Sequence, residues 1–352
     1  MENEERKTMS ESEMTQGSFL FRRGNGARTV MRTSVCQSRT VCCVLVALCA
    51  APLAGCDDVE GRDQIFEEDE RVIYGADNRK DVFQSGDRRV RRLAKRSTVT
   101  MMKARHLNDD DPSDVEVDAE TYGEYFGLCP GEPFADQVAA GFCSGTLIGD
   151  DLVLTAGHCV RKTCRKNDRF VFNYYNEQGG LNDISADDIF SCKEVLVRSN
   201  GALDYAIVQL DRSATPRFEP APLIDHSNAL AEGTKLAIIG NPSGLPTKIA
   251  KGGRVTDGEP ETRNVFTATV DAFGGNSGSG VYVKRDDEFA LAGILVAGAP
   301  DFDLQGDCLV ENHCPAGGGD CDFDASDGED LTYAFRARDA LCEEVPDHGL
   351  CD

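Results

Sequence analysis

From about residue 97 to residue 300 the chain is a succession of short runs rich in β-branched and aromatic residues, broken by Gly, Asn and Asp: STVTMM, GTLIGDDLVLTA, FVFNYY, IFSCKEVLV, YAIVQL, KLAIIG, VFTATV, GVYVK and LAGILVAG. Runs of this length bounded by turn residues read as strands. Helical periodicity is scarce until LTYAFRARDALCEEV near the end, so the pattern calls for an all-β barrel or sandwich closed by a terminal helix. Two barrels fit the length better than one. Ahead of the strands, DRRVRRLAKRS (87–97) sets Val90, Leu93 and Ala94 at helical spacing among Arg and Lys, which reads as a short surface helix with basic outer faces.

The formal charge is -24, from 61 acidic against 37 basic residues. A field of that sign repels nucleic-acid phosphates, so no nucleic-acid partner is expected. The N-terminal part reads as targeting sequence. Residues 31–55 join the basic Arg32 and Arg39 to an apolar run, Val41 to Ala51, too short to span a bilayer, followed by small residues. The ending Leu53-Ala54-Gly55-Cys56 resembles a bacterial lipobox, which implies export and a lipid anchor at Cys56 on the membrane, or secretion if the lipobox is not used. Residues 1–30 carry five Glu, which a signal start avoids, and read as an extension of the gene model ahead of a true start at Met31. Residues 56–71 are polar and acidic and suit a solvated tether. Ten of the 15 cysteines lie beyond residue 57, an even number that favours disulfides in an exported chain.

Three stretches carry chemistry. In CSGTLIGDDLVLTAGHC (143–159) a strand pair ends in Thr155-Ala156-Gly157-His158, and a disulfide between Cys143 and Cys159 would hold the loop of the histidine. In ALDYAIVQLDR, Asp204 opens an apolar strand. In GGNSGSG (274–280), Ser277 lies among glycines, a composition that any tight turn also uses. A serine hydroxyl is a weak nucleophile: it needs an imidazole to accept its proton, a carboxylate to fix the imidazole tautomer, and amides aimed at the developing oxyanion. His158, Asp204 and Ser277 supply the first three groups, and the amides of Gly275 and Ser277 the last.

The chain order His158, Asp204, Ser277, with TAGHC and GNSG around two of them, resembles the chymotrypsin/trypsin-like serine peptidases. The resemblance covers residues 72 to 345, leaving 346–352 as a tail. It implies two six-stranded antiparallel barrels with a linker near residues 213–233, and a catalytic cleft between them. It also implies a Cys143–Cys159 disulfide, peptide-bond hydrolysis through an acyl-enzyme without a cofactor, and a protein or peptide substrate. Asn276 stands where animal members carry the aspartate that binds a freed N-terminal amine, so GGNSGS is more similar to the bacterial branch that includes glutamyl endopeptidases.

By the same resemblance Asp271, six residues before Ser277, falls at the base of the primary pocket and implies cleavage after Arg or Lys, although loop lengths around TVDAFGG leave open that it is swung out. The edge Val296 to Gly298 is expected to pair with substrate backbone. Leu295 or Val296 stands where glutamate-specific members place a histidine, which disfavours Glu substrates. His106, His226, His313 and His348 read as surface residues. Cys308, Cys314 and Cys321 match no usual zinc spacing, and DCDFDASDGED departs from an EF-hand at Ala325 and Leu331, so no metal site is expected. A barrel protein of this kind that had lost turnover would instead be a surface binding protein.

Overall fold

The computed structural model describes residues 72–224, 229–316 and 328–351. The N-terminal targeting segment, with Cys56, and the acidic stretch around Cys321 lie outside them. Two antiparallel sheets dominate. In the first, the strands follow one another across the sheet as Ile189–Phe190, Asp168–Val171, Thr98–Lys103, Gly141–Leu147, Leu152–Thr155, Asp204–Leu210 and Cys192–Asn200, curled into a half-barrel. The second runs Lys235–Gly240, Gly280–Arg285, Glu288–Ala297, Glu329–Tyr333, Val265–Ala268 and Lys248–Asp257. Pairing of Lys235–Gly240 with Lys248–Asp257 closes it into a six-stranded barrel. This mostly β architecture with a C-terminal helix, Ala334–Glu344, is consistent with the expected double barrel.

Period-2 alternation explains why the strands read as unbroken apolar runs. Val153, Ala206 and Val208 face the core of the first sheet with Phe142, Phe170 and Phe172. Ile238, Val281 and Leu295 face the core of the second with Phe266. The intervening residues Leu152, Leu154, Ile207, Ile239, Tyr282 and Ile294 turn to the opposite faces and meet in a third cluster that draws on both sheets. Buried on both faces, these strands have no polar side to reveal their period.

Helix Arg88–Arg96 is capped by Asp87, whose side chain accepts from the Arg89 amide at 3.1 Å, and buries Val90 and Ala94 against the shared cluster. Ala334, Ala337 and Leu341 of the C-terminal helix pack there too. Disulfides join Cys129–Cys308, Cys143–Cys159, Cys164–Cys192 and Cys342–Cys351.

A strap, residues 72–81, lies on the second barrel. Ile73–Tyr74 pairs with His313–Cys314, and Arg79–Asp81 pairs with Lys248–Ala250. Lys248 is buried, and its ammonium donates to Asp81 Oδ1 at 2.8 Å, Gln137 Oε1 at 2.7 Å and the Pro246 carbonyl at 2.8 Å. Burial pulls this lysine down to about 8 despite Asp81. The unfolded chain keeps the proton up to about pH 10.4, so between these limits it binds more protons than the folded chain and stability rises with pH. Urea unfolding should therefore show the wild type gaining about 1–2 kcal/mol on Lys248→Met between about pH 7.5 and about pH 9.5, with no gain if the ammonium titrates normally.

Candidate active site

The strand Leu152–Thr155 runs into one turn of 3-10 helix, Gly157–Cys159, which presents His158. Gly157 is required there, because a Cβ would meet the Ser199 carbonyl at 1.8 Å and Asp204 Oδ1 at 2.7 Å. That close approach sets the turn against Asp204 at the head of Asp204–Leu210. Asp204 Oδ1 accepts the His158 main-chain N–H at 3.0 Å and Oδ2 accepts Nδ1–H at 2.5 Å. With its proton on Nδ1, the imidazole keeps its lone pair on Nε2. The carboxylate is 15% exposed and the imidazole 32%, so the ring offers its outer edge while its partner stays shielded. Arg198 completes the turn: its Nε donates to the Gly157 carbonyl at 2.7 Å and the Val160 carbonyl at 2.8 Å. Sequence reasoning missed Arg198, which in the strand CKEVLVRSN carries no local signal of the turn carbonyls it meets.

The serine turn comes from the other barrel. Gly278 lies at φ +80°, and a Cβ there would meet the Ser144 carbonyl and Thr155 Oγ1, each at 2.3 Å. The Ser277 carbonyl accepts from the Ser144 amide at 2.8 Å, and Cys159 Sγ of the Cys143–Cys159 disulfide lies 3.7 Å from it. The turn is thus seated on the strand residues that lead into His158. Cys143, His158 and Cys159 group closely enough to resemble a metal set, but both sulfurs are spent in the disulfide and offer no thiolate.

Peptide planarity orients the amides expected at an oxyanion. The Gly274 carbonyl accepts from the Ser243 amide at 2.5 Å and the Asn276 carbonyl from the Ser279 amide at 2.7 Å. In a trans peptide the N–H points opposite to the C=O, so the N–H groups of Gly275 and Ser277 are turned away from Ser243 and Ser279. Gly275, at φ +84°, is held through its own carbonyl by Ser144 Oγ at 2.8 Å. Asn276 Oδ1 accepts a hydrogen bond from Ser279 Oγ at 2.9 Å. Beside the turn, Gly278 N–H donates to the Leu295 carbonyl at 2.8 Å, which aligns the end of Glu288–Ala297 with it. Val296 and Gly298 are half-buried on this edge, and Ala297 between them is exposed.

The Asp271 carboxylate, expected at the base of the primary pocket, is buried and accepts from the Tyr74 amide through Oδ1 at 2.9 Å and from the Asn78 amide through Oδ2 at 2.8 Å. Val72 and Tyr74 of the strap pack with Ala299 and Cys314, and the Ala272 amide donates to the Val72 carbonyl at 3.3 Å. Burial pushes the Asp271 carboxyl above the usual range, with the two amides opposing. The strap had no distinct element in the sequence reading, so nothing there announced that it would dock beneath this position.

A half-barrel and a closed barrel, with a histidine–carboxylate pair on one and a glycine-rich serine turn on the other, define the architecture of a serine-protease-type hydrolase. Residues 143–294 match the family model of the trypsin-like peptidase domain, which supports placement in the chymotrypsin/trypsin-like family and a protein or peptide substrate. No curated protein matches the chain. Asp271→Asn should cost about 1–3 kcal/mol, because its amide nitrogen would face a main-chain N–H instead of accepting from it. Limited proteolysis should then cut within residues 72–81. A pocket-floor role predicts instead an unchanged fold and a lost preference for Arg and Lys substrates.

Proposed function

We propose that the chain is a serine endopeptidase that works through an acyl-enzyme. Ser277 Oγ attacks the substrate carbonyl carbon while His158 Nε2 takes its proton, and Asp204 stabilises the imidazolium. The amides of Gly275 and Ser277 receive the oxyanion. The imidazolium then protonates the leaving amine, the C–N bond breaks, and water activated by His158 releases the acid and restores Ser277. The observation that carries this reading is the two-point grip of Asp204 on His158, through the main-chain N–H and Nδ1–H, in a turn that packs against the serine loop. Cleavage after Arg or Lys draws no support from Asp271, whose oxygens are occupied by the strap. The neutral Asn276, engaged with Ser279, supports the bacterial branch of the family.

The same proposal places the enzyme outside the cytoplasm, tethered through Cys56, on the strength of the signal-like residues 31–55 and the LAGC ending. A diacylglyceryl mass on a peptide that begins at Cys56 is the expected finding, and an unmodified Cys56 in the exported protein removes the anchor.

A fluorophosphonate probe tests the nucleophile. Wild type should be labelled on Ser277, Ser277→Ala should not be labelled, and Asp204→Asn should react more slowly by up to about 10⁴-fold, since the wrong tautomer then faces the serine. Equal labelling rates for wild type and Asp204→Asn would remove His158 and Asp204 from the mechanism.

A further inference from the structure

In a chain with a net charge of -24, one depression beside the first sheet is lined mainly by basic side chains. The segment VRKTCRKNDR follows the His158 turn directly. The Cys164–Cys192 disulfide pins it to the sheet, and the Ala104 amide donates to the Asn167 carbonyl at 2.8 Å, bringing it beside the end of Thr98–Lys103. Arg105, Arg161, Arg165 and Lys166 thereby line one open depression of about 720 Å³, and Lys162 is exposed next to it. Its one carboxylate, Asp168, is buried and already paired with Lys103 at 2.6 Å. Among the described residues none of Arg105, Arg161, Lys162, Arg165 or Lys166 makes an ion pair, whereas four of the six cations on the basic helix, Arg89, Arg92, Lys95 and Arg96, do.

Four of these unpaired cations line the same depression and the fifth follows Arg161 directly in the chain, so their fields add locally while charges beyond about a Debye length, roughly 10 Å, are screened. Chain reach limits the Cα of Arg161 to roughly 11 Å from that of His158. The depression therefore begins three residues beyond His158 in the chain, although neither His158 nor Ser277 lines it.

We propose that this basic depression is an exosite that binds an acidic segment of the protein substrate, on the histidine side of the cleft. The inference rests on the peptidase reading above. It favours a peptide over a nucleic acid or an anionic bilayer, because an extended polyanion or membrane also meets the strongly negative remainder of the molecule, while a short acidic stretch meets only the local field. Binding there is uniform in ground and transition states, so it lowers KM and leaves kcat unchanged.

The test uses a fluorogenic peptide that the wild type cleaves, extended on either side of the scissile bond by four Glu or by four Gln. At about 50 mM NaCl the better-placed Glu extension should lower KM by about tenfold relative to Gln, with most of the difference lost at about 300 mM. The quadruple variant Arg161→Gln, Lys162→Gln, Arg165→Gln, Lys166→Gln should abolish the difference while reacting with the fluorophosphonate probe at the wild-type rate, which shows that fold and nucleophile are intact. Equal kcat/KM for Glu and Gln peptides in a protein that the probe labels overturns the exosite alone. So does binding of wild type, but not of the variant, to phosphatidylglycerol vesicles with no Glu preference, which would assign the patch to a membrane. Failure of the probe to label wild type overturns the peptidase reading, and the exosite with it.

Discussion

Gly278 sits where the two sheets meet, at φ +80° with the Ser144 carbonyl and Thr155 Oγ1 where a side chain would begin. Each barrel buries its own core, and the cluster shared between them, from Leu152 and Ile207 to Tyr282 and Ile294, holds them together. That shared core brings the barrels close, but the missing Cβ lets the serine turn settle against the residues that lead into His158. On the other side of the cleft Gly157 has the corresponding role, admitting Asp204 to the back of the histidine turn. Neither glycine carries chemistry, yet the relative position of the chemical groups depends on both.

Behind the serine turn the same economy of space is enforced by buried charge. Arg79 stacks on Phe273 at 4.4 Å, donates to Asp77 at 2.9 Å and to Glu311 at 2.5 Å, and Tyr122 reaches the other Glu311 oxygen at 2.9 Å. Buried ion pairs cost desolvation that their attraction only partly returns, so their contribution is better read as placement than as stability. Here they fix the strap, the Phe302–Gln305 hairpin and Phe273 in one register, four residues from Ser277. The Cys129–Cys308 disulfide ties the same hairpin covalently to the segment that follows the short helix Tyr122–Phe126.

The strands were legible because they are short, apolar and separated by turn residues, and helices Arg88–Arg96 and Ala334–Glu344 because their apolar positions recur at helical spacing, whereas Tyr122–Phe126 is too short to show a period. The histidine and serine stretches were legible because each requirement of the chemistry, glycine included, is written within a few adjacent residues. The strap contacts of Asp271 were not legible, because its distance from Ser277 in sequence carries no information about the strap, whose amides reach it from 197 and 193 residues away. Lys248 with Asp81 and Arg79 with Glu311 are likewise joined across 167 and 232 residues, and no local pattern encodes such partners. Arg198 belongs with them, since its role is defined by the carbonyls of a turn on the neighbouring strand pair.

The central claim is that Ser277 becomes covalently acylated because the two barrels present His158 and the serine turn to each other. It is tested most directly by treating the folded, disulfide-intact chain with an activated acetyl ester at mildly acidic pH, where deacylation is slow, and locating the acetyl group by peptide mass spectrometry. The account predicts one acetyl group per chain, on Ser277, lost when the pH is returned to neutral. A folded protein that acquires no acetyl group, or carries it on another residue, contradicts it.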